Sequence, residues 1–420
     1  MKTVYATILS CLLCAPLLAG DISGIVKSGE IWEQTRDDLA RGAFNGVRFA
    51  TVDDNTIRVP RKGGIALGKM EFGETLVTWA PENGATENLV IMVYNRGDDG
   101  DTQREEYMEI LENTISDLNE FIGTKGKPLK VAKKDSGVSL RSWKWEWDNG
   151  VIRLDASYTG GKRDFKGEFI RMKLGADQES VTGGGAANAA KRKDLKENVQ
   201  RDEDGGDVWI SVPMVDQGQK GYCVPASVSR VFAYYGMDGV DQHALAQLCS
   251  SSADGGTSVV AMQEALESIA RKFHIRIQML EGKDMTSVIM NFIADYNKAA
   301  KKLKKPQASP MNWVEVCRDP KVLLAARGNK KYTKKWFAPI KKSIDVGVPV
   351  LWSVELGLYP EEGAGQQSDG AHMRMIVGYN EEKGIIYFSD SWGAGHEKKA
   401  IKMNHAAAMT QARYILRPSR

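Results

Sequence analysis

The residues able to do chemistry fall in two clusters. The first runs from Val215 to Gly236, V-D-Q-G-Q-K-G-Y-C-V-P-A-S-V-S-R-V-F-A-Y-Y-G. Val228, Val231, Phe232 and Tyr235 recur at i, i+3, i+4 and i+7, which predicts an amphipathic helix with Cys223 at its start, Pro225 tolerated in its first turn and Gly236 as its stop. A thiol at a helix N-terminus meets unpaired N–H groups and the positive end of the dipole, so it loses its proton more easily, and the thiolate is the nucleophile. Read alone, Cys223 is equally well a small buried hydrophobe. Two further features weigh against that. Gln217 stands upstream, across a loop holding Gly218 and Gly221, and far downstream G-A-H-M-R-M-I-V-G-Y-N and I-I-Y-F-S-D-S-W-G supply His372 and Asp390.

In this order the pieces resemble the papain-like cysteine peptidases, whose pattern is a Gln, a Gly-rich loop, a Cys opening the central helix, a His on a strand, then Asn or Asp before Ser-Trp-Gly. The matching residues are Gln217, Cys223, His372, Asp390, Ser391, Trp392 and Gly393, over about Asp207 to Pro418. The Asp where papain carries Asn inclines the resemblance toward peptidases that cut double-glycine leaders and their secreted bacterial relatives. It implies that His372 takes the thiol proton and later gives it to the leaving amine. Asp390 would hold the imidazole tautomer, and the Gln217 amide and the Cys223 N–H would donate to the oxyanion. It also implies two lobes, helical first and sheet second, with a cleft between. Val224-Pro225 after the cysteine departs from the family, which shows Gly or Trp there; that bears on the cleft wall and specificity.

The elements must bring these residues together. His372 to Tyr379 and Ile385 to Asp390 read as consecutive strands turning near Asn380 to Lys383. A turn of three or five residues sets His372 and Asp390 directly opposite; two or four without a bulge puts Asp390 on the other face. Trp392 would then roof the pair or pack in the core. Among other histidines, His396 is the rival to His372, while His243, His274 and His405 read as packed or surface residues. A zinc site built from Cys223, His372 and Asp390 lacks any accompanying CxxC or HExxH.

Around them, Asp207 opens a strand over D-V-W-I-S-V-P-M-V. Helices are expected over His243–Leu248 capped by Asp241, Val259–Phe273 capped by Thr257 or Ser258, from Asp284 or Thr286 to Lys304, and over Tyr332–Asp345. Further strands are expected over Val350–Glu355 and Ala412–Leu416. Lys301, Lys302, Lys304 and Lys305 read as a solvated helix C-terminus.

The N-terminal part lacks a catalytic set. Residues 21–175 read as an accessory or pro-domain of α+β type: short strands from Arg48 onward, one amphipathic helix with Tyr107, Ile110, Leu111, Ile115, Leu118 and Ile122 on a face, and a hairpin at Asp148-Asn149-Gly150. Trp143, Trp145 and Trp147 share a strand face, either packed on that helix or an aromatic binding platform. Arg96-Gly97-Asp98 reads as a chance loop triplet. Residues 176–206 read as a charged, flexible linker. Lys191-Arg192-Lys193 within it is a candidate nicking site, so the first domain is a tethered module or a removable inhibitory segment. Residues 1–20, with Lys2 before an apolar run and small residues at the end, read as a secretory signal, which predicts a secreted or periplasmic protein with no stable membrane span.

The 420-residue chain has a formal net charge of +3 and 26% charged residues, a balance that argues against a dedicated nucleic-acid binder. Cys11 and Cys14 leave with the signal; Cys223, Cys249 and Cys317 remain, and Cys249–Cys317 is the bridge compatible with a catalytic Cys223. The expectation is therefore an α+β chain: an antiparallel-sheet-plus-helix domain, then a papain-like two-lobed domain over 207–420. It would be a thiol hydrolase acting on peptide or protein substrates without a cofactor. The alternatives are a deamidase or transamidase on the same site, or a non-catalytic envelope or binding protein.

Overall fold

A computed structural model of the chain describes residues 20–61, 64–71, 73–131, 138–161, 163–182, 194–204, 206–237, 240–251, 259–361 and 370–418. It is an α+β protein in which each half is built on its own antiparallel sheet. Besides a small three-stranded sheet of Gly20–Asp21, Ile65–Leu67 and Met70–Glu71, the strands of the first half's main sheet are β1 (Ala50–Asp53), β2 (Thr56–Val59), β3 (Thr75–Trp79), β4 (Thr86–Asn95), β5 (Lys127–Leu129), β6 (Arg141–Trp147), β7 (Gly150–Thr159) and β8 (Lys166–Gly175). Their order across the sheet is β1-β2-β3-β4-β8-β7-β6-β5.

One face of this sheet carries the expected helix, Arg104–Ile122, which ends at Gly123 with φ 80°. Tyr107, Leu111 and Leu118 of that helix are buried against Ile152, Leu154 and Met172. Trp145 is 1% exposed and donates its indole N–H to Asn119 Oδ1 at 3.0 Å, with Trp143 and Trp147 packed on the same core. The tryptophan face is therefore a packing face against the helix. The opposite face is polar and meets the second half: Ser157 donates to Gln247 Oε1 at 2.7 Å and Arg171 pairs with Asp241.

Several expectations are corrected. Arg96-Gly97-Asp98 lies in a helical turn, Arg96–Asp99, capped by the Asn95 side chain accepting from Gly97 N, with Arg96 and Gly97 buried. The stretch 176–206 contains ordered elements: a helix at Gln178–Thr182, a 3-10 turn at Asp194–Asn198 whose Leu195 is fully buried, and a strand at Val199–Arg201 paired with Asp207–Ile210. Apolar Val181 and Leu195, spaced among the charges, supply the anchors that composition hid. Lys191-Arg192-Lys193 and the caps Thr257 and Ser258 lie outside the described residues. Cys249 and Cys317 are free thiols buried in separate cores, so the bridge between them is absent.

The second half orders its sheet as Val199–Arg201, Asp207–Ile210, Gly370–Asn380, Val350–Leu356, Thr410–Pro418 and Ile275–Met279, with Ile385–Ser389 on Gly370–Asn380 and Lys399–Lys402 beyond it. Its helices include Cys223–Tyr234, Gln242–Leu248, Val259–Phe273, Met285–Leu303, Pro320–Arg327 and Lys330–Ile344. Asp241, Asp284 and Asn329 cap the second, fourth and sixth of these by accepting backbone N–H bonds. The helical lobe thus precedes most of the sheet, and the Cys223 helix runs between them. Among the described residues, no helix is long and apolar enough to cross a membrane.

Candidate active site

Cys223 is the first residue of its helix, and Val224, Val228, Val231 and Phe232 bury the helix in the core. The N-cap is Tyr222, which makes no side-chain cap bond, so no side-chain oxygen competes with an anion for the first-turn N–H groups. Two polar side chains lock the helix to the sheet. Ser227 donates to Met373 O at 3.3 Å. The fully buried Arg230 donates to Pro213 O at 2.8 Å, Asp390 O at 2.7 Å and Ser389 Oγ at 2.6 Å. Burial lowers that guanidinium to about 10.

His372 stands on Gly370–Asn380, the strand beside this helix. The turn to the next strand is Glu381-Glu382-Lys383-Gly384, because Asn380 pairs with Ile385. This is the four-residue case, which alone would turn Asp390 away. A register shift between Ile376 and Gly378 corrects it: beyond the shift Met375 pairs with Ser389, so Asp390 follows opposite Arg374, diagonal to His372 on the same face. Gly378 carries the signal for this irregularity. A Cβ there would lie 2.4 Å from Val208 O, so only glycine lets Asp207–Ile210 approach.

His372 Nε2 lies 3.2 Å from Asp390 Oδ1, within ion-pair reach though slanted outside hydrogen-bond geometry. The Cys223 side chain lies close enough to the imidazole for each group to favour the charged form of the other. The Trp392 indole stacks on the imidazole, centroids 4.6 Å apart at 22°, and screens it from water. His396 meets the same indole edge-on at 5.5 Å and is spent structurally, its carbonyl accepting from Asp390 N and Ser389 Oγ. His405 stacks on Tyr359, His243 packs beside Tyr222, and His274 is exposed.

Burial opposes charge on both Cys223 and His372, and their partners outweigh it. The Cys223 thiol is held below its ordinary value of 9.0 by the hydrogen bond and charge of His372, helped by the Met373 and Val224 backbone. The imidazole of His372 is held above 6.5 by Asp390 and Cys223. Asp390, fully buried, is held far below the ordinary carboxylate range by His372, Arg374 and Lys399. Arg374 Nε donates to Oδ1 at 2.8 Å and Lys399 Nζ to Oδ2 at 3.0 Å. Arg374 in turn holds Glu361 at 2.5 and 3.0 Å. Sequence reading missed Arg230, Arg374 and Lys399; the first two stand out as charges inside apolar runs, where burial demands a partner.

Gln217 is fixed at both ends of its amide. Oε1 accepts from Ser391 Oγ at 2.7 Å, and Nε2 donates to Lys220 O at 3.1 Å. Gln217 N also donates to Ser391 O at 2.9 Å. The Ser of the Ser-Trp-Gly triplet thereby sets the amide orientation, and one Nε2 hydrogen is taken up by Lys220 O. Two cavities of 530 and 600 Å³ open around Tyr332 and Lys335 on the helical lobe, and neither is lined by Cys223, His372 or Asp390.

Residues 209–417 match the family model described as the Peptidase_C39 like family. The match supports placing this half of the chain in a cysteine peptidase superfamily. No curated protein matches the chain.

Proposed function

We propose that the chain is an exported thiol peptidase with Cys223 as nucleophile, His372 as general base and acid, Asp390 as the orienting carboxylate and Gln217 as an oxyanion donor. The observation that carries this reading is the imidazole set between a sulfur and a buried carboxylate under a stacked indole. Cys223 Sγ attacks the amide carbonyl as its proton passes to His372. The C–N bond then breaks, the imidazolium protonates the amine, and an acyl-thioester remains. Water, deprotonated by His372, attacks the thioester, releasing the acid and restoring the thiol. Cys223 N–H and Gln217 Nε2 stabilise the oxyanion in both halves. The carboxylate at position 390 supports kinship with double-glycine leader peptidases, and residues 1–20 support export to the periplasm or beyond.

Iodoacetamide tests the nucleophile. Cys223 alkylates well below pH 8 in the native protein and needs His372 to do so. A proteomic cleavage profile of native protein against Cys223→Ala then defines the substrate. A Cys223 inert to alkylation at neutral pH would refute the reading and favour a binding protein on this fold.

A further inference from the structure

We infer that the N-terminal domain is a permanent part of the catalytic machinery, its Glu74 and Asp98 acting through Lys220 as positioning residues for the oxyanion loop. This rests on the thiol-peptidase reading above. Lys220 lies between Gln217 and Cys223, and its side chain is fully buried. Nζ meets Glu74 Oε2 at 2.6 Å and Asp98 Oδ2 at 3.3 Å, both from the N-terminal domain. Its carbonyl is the group that Gln217 Nε2 holds. The chain of contacts therefore runs from two N-terminal carboxylates, through one lysine, to the amide that faces the oxyanion.

The rest of the loop is gripped from the same side. Arg58 Nε pairs with Asp216 Oδ2 at 2.7 Å, and Asp216 Oδ1 accepts from Gly218 N at 2.8 Å. Gly218 has φ 69°, and a Cβ there would sit 2.9 Å from Lys220 Nζ and 3.1 Å from Glu74 Oε2. Tyr222, adjacent to the nucleophile, donates its hydroxyl to Asn95 Oδ1 at 3.0 Å, and its ring lies on Gly97, where a Cβ would come within 2.5 Å. Thr51 O accepts from Ala394 N at 3.1 Å, just after Ser391-Trp392-Gly393. Among the described residues these contacts end on the loops and leave the Cys223 and His372 side chains to each other. An inhibitory segment would cover the nucleophile; this domain braces the loops beside it.

Two probes react at the same sulfur through different transition states. Iodoacetamide is attacked at a saturated carbon and forms no oxyanion; 4-nitrophenyl acetate is attacked at a carbonyl and does. In Glu74→Gln, Cys223 acylation falls about tenfold or more while alkylation stays within about twofold. Gln217→Ala sets the full scale of a lost donor, ~10²–10³. Asp98→Asn, at the partly exposed edge of the cluster, gives a smaller loss of the same kind and serves if Glu74→Gln fails to fold by thermal melting. Equal losses for both probes, or none for either, would overturn the inference. A wild-type Cys223 that reacts with neither probe sinks the peptidase reading, and this inference with it. As a second measurement, a specific protease site placed between Thr182 and Asp194 allows the full chain to be cut. Expected are two halves that co-migrate with acylation unchanged; dissociation with a rise in acylation would instead identify a removable inhibitor.

Discussion

Asp390→Asn removes a single charge from the buried ionic cluster beside His372, and its main expected effect is on stability. In the native cluster one carboxylate serves Arg374 at 2.8 Å, Lys399 at 3.0 Å and His372 at 3.2 Å, while its own backbone oxygen accepts from Arg230 at 2.7 Å. Arg374 has a second anion in Glu361; Lys399, with its side chain 2% exposed, has Asp390 as its ion-pair partner and beyond that the Trp392 ring at 5.1 Å. Asparagine offers one carbonyl oxygen to three donors and turns an NH₂ toward a cation. Breaking a buried pair by removing one partner costs about 3–5 kcal/mol. At roughly 2–4 °C per kcal/mol for a domain of this size, the melting temperature should fall by roughly 6–20 °C.

The pH dependence of this loss has a definite sign. The folded Asp390 carboxyl is depressed by His372, Arg374 and Lys399 against the opposing effect of burial, from an ordinary value of 3.8. Its stabilisation is therefore complete above the unfolded value and is lost as the pH falls through the folded one. The gap in melting temperature between wild type and Asp390→Asn should be full at pH 7 and narrow from about pH 4 downward. Adding Lys399→Met to Asp390→Asn removes the stranded cation and should recover a large part of the stability without restoring Cys223 reactivity. Circular dichroism melts of the three proteins across pH measure all of this. An Asp390→Asn protein within about 1 kcal/mol of wild type at pH 7 would refute the argument that this carboxylate neutralises the buried cations.

Alkylation of Cys223 should rise with pH through an apparent midpoint below 9.0, and in His372→Ala that midpoint should move above 9.0, because burial remains when the imidazole is gone. Acylation turnover should decline on a basic limb lying above 6.5, where the imidazolium is lost, and the two limbs belong to the coupled pair rather than to either residue. Cys249 and Cys317, both buried and with thiols pushed up to about 12, should stay unmodified at pH 7 while Cys223 labels; peptide mapping by mass spectrometry decides this.

What was legible in the sequence was local. The Cys223 helix announces itself through Val228, Val231, Phe232 and Gly236, and the long N-terminal helix through its apolar face and Gly123, because periodicity and caps act within a few turns. Strand positions around His372 were readable for the same reason. Whether Asp390 faces His372 was not, since the four-residue turn gave the wrong parity and a backbone irregularity restored it. Only Gly378, an isolated glycine inside an apolar strand, hinted at a bulge or a close strand contact there.

The supports of the site were the least legible, for a physical reason. Lys220 and Glu74 meet across 146 positions, and Arg230 reaches Asp390 across 160. Such pairs leave no periodic trace, and in a flexible-looking loop Lys220 is indistinguishable from a solvated lysine. A charge inside an apolar run is different, because a buried cation without a partner is too costly to persist. Arg374, within the strand His372-Met373-Arg374-Met375-Ile376, therefore implies a buried carboxylate on the neighbouring strand, and Asp390 is the acidic residue that the next strand brings within reach. Read this way, Arg374 reports the face of Asp390 independently of the turn. It calls for the two residues to be cross-strand neighbours, which the bulge makes them and the unbulged four-residue hairpin would not.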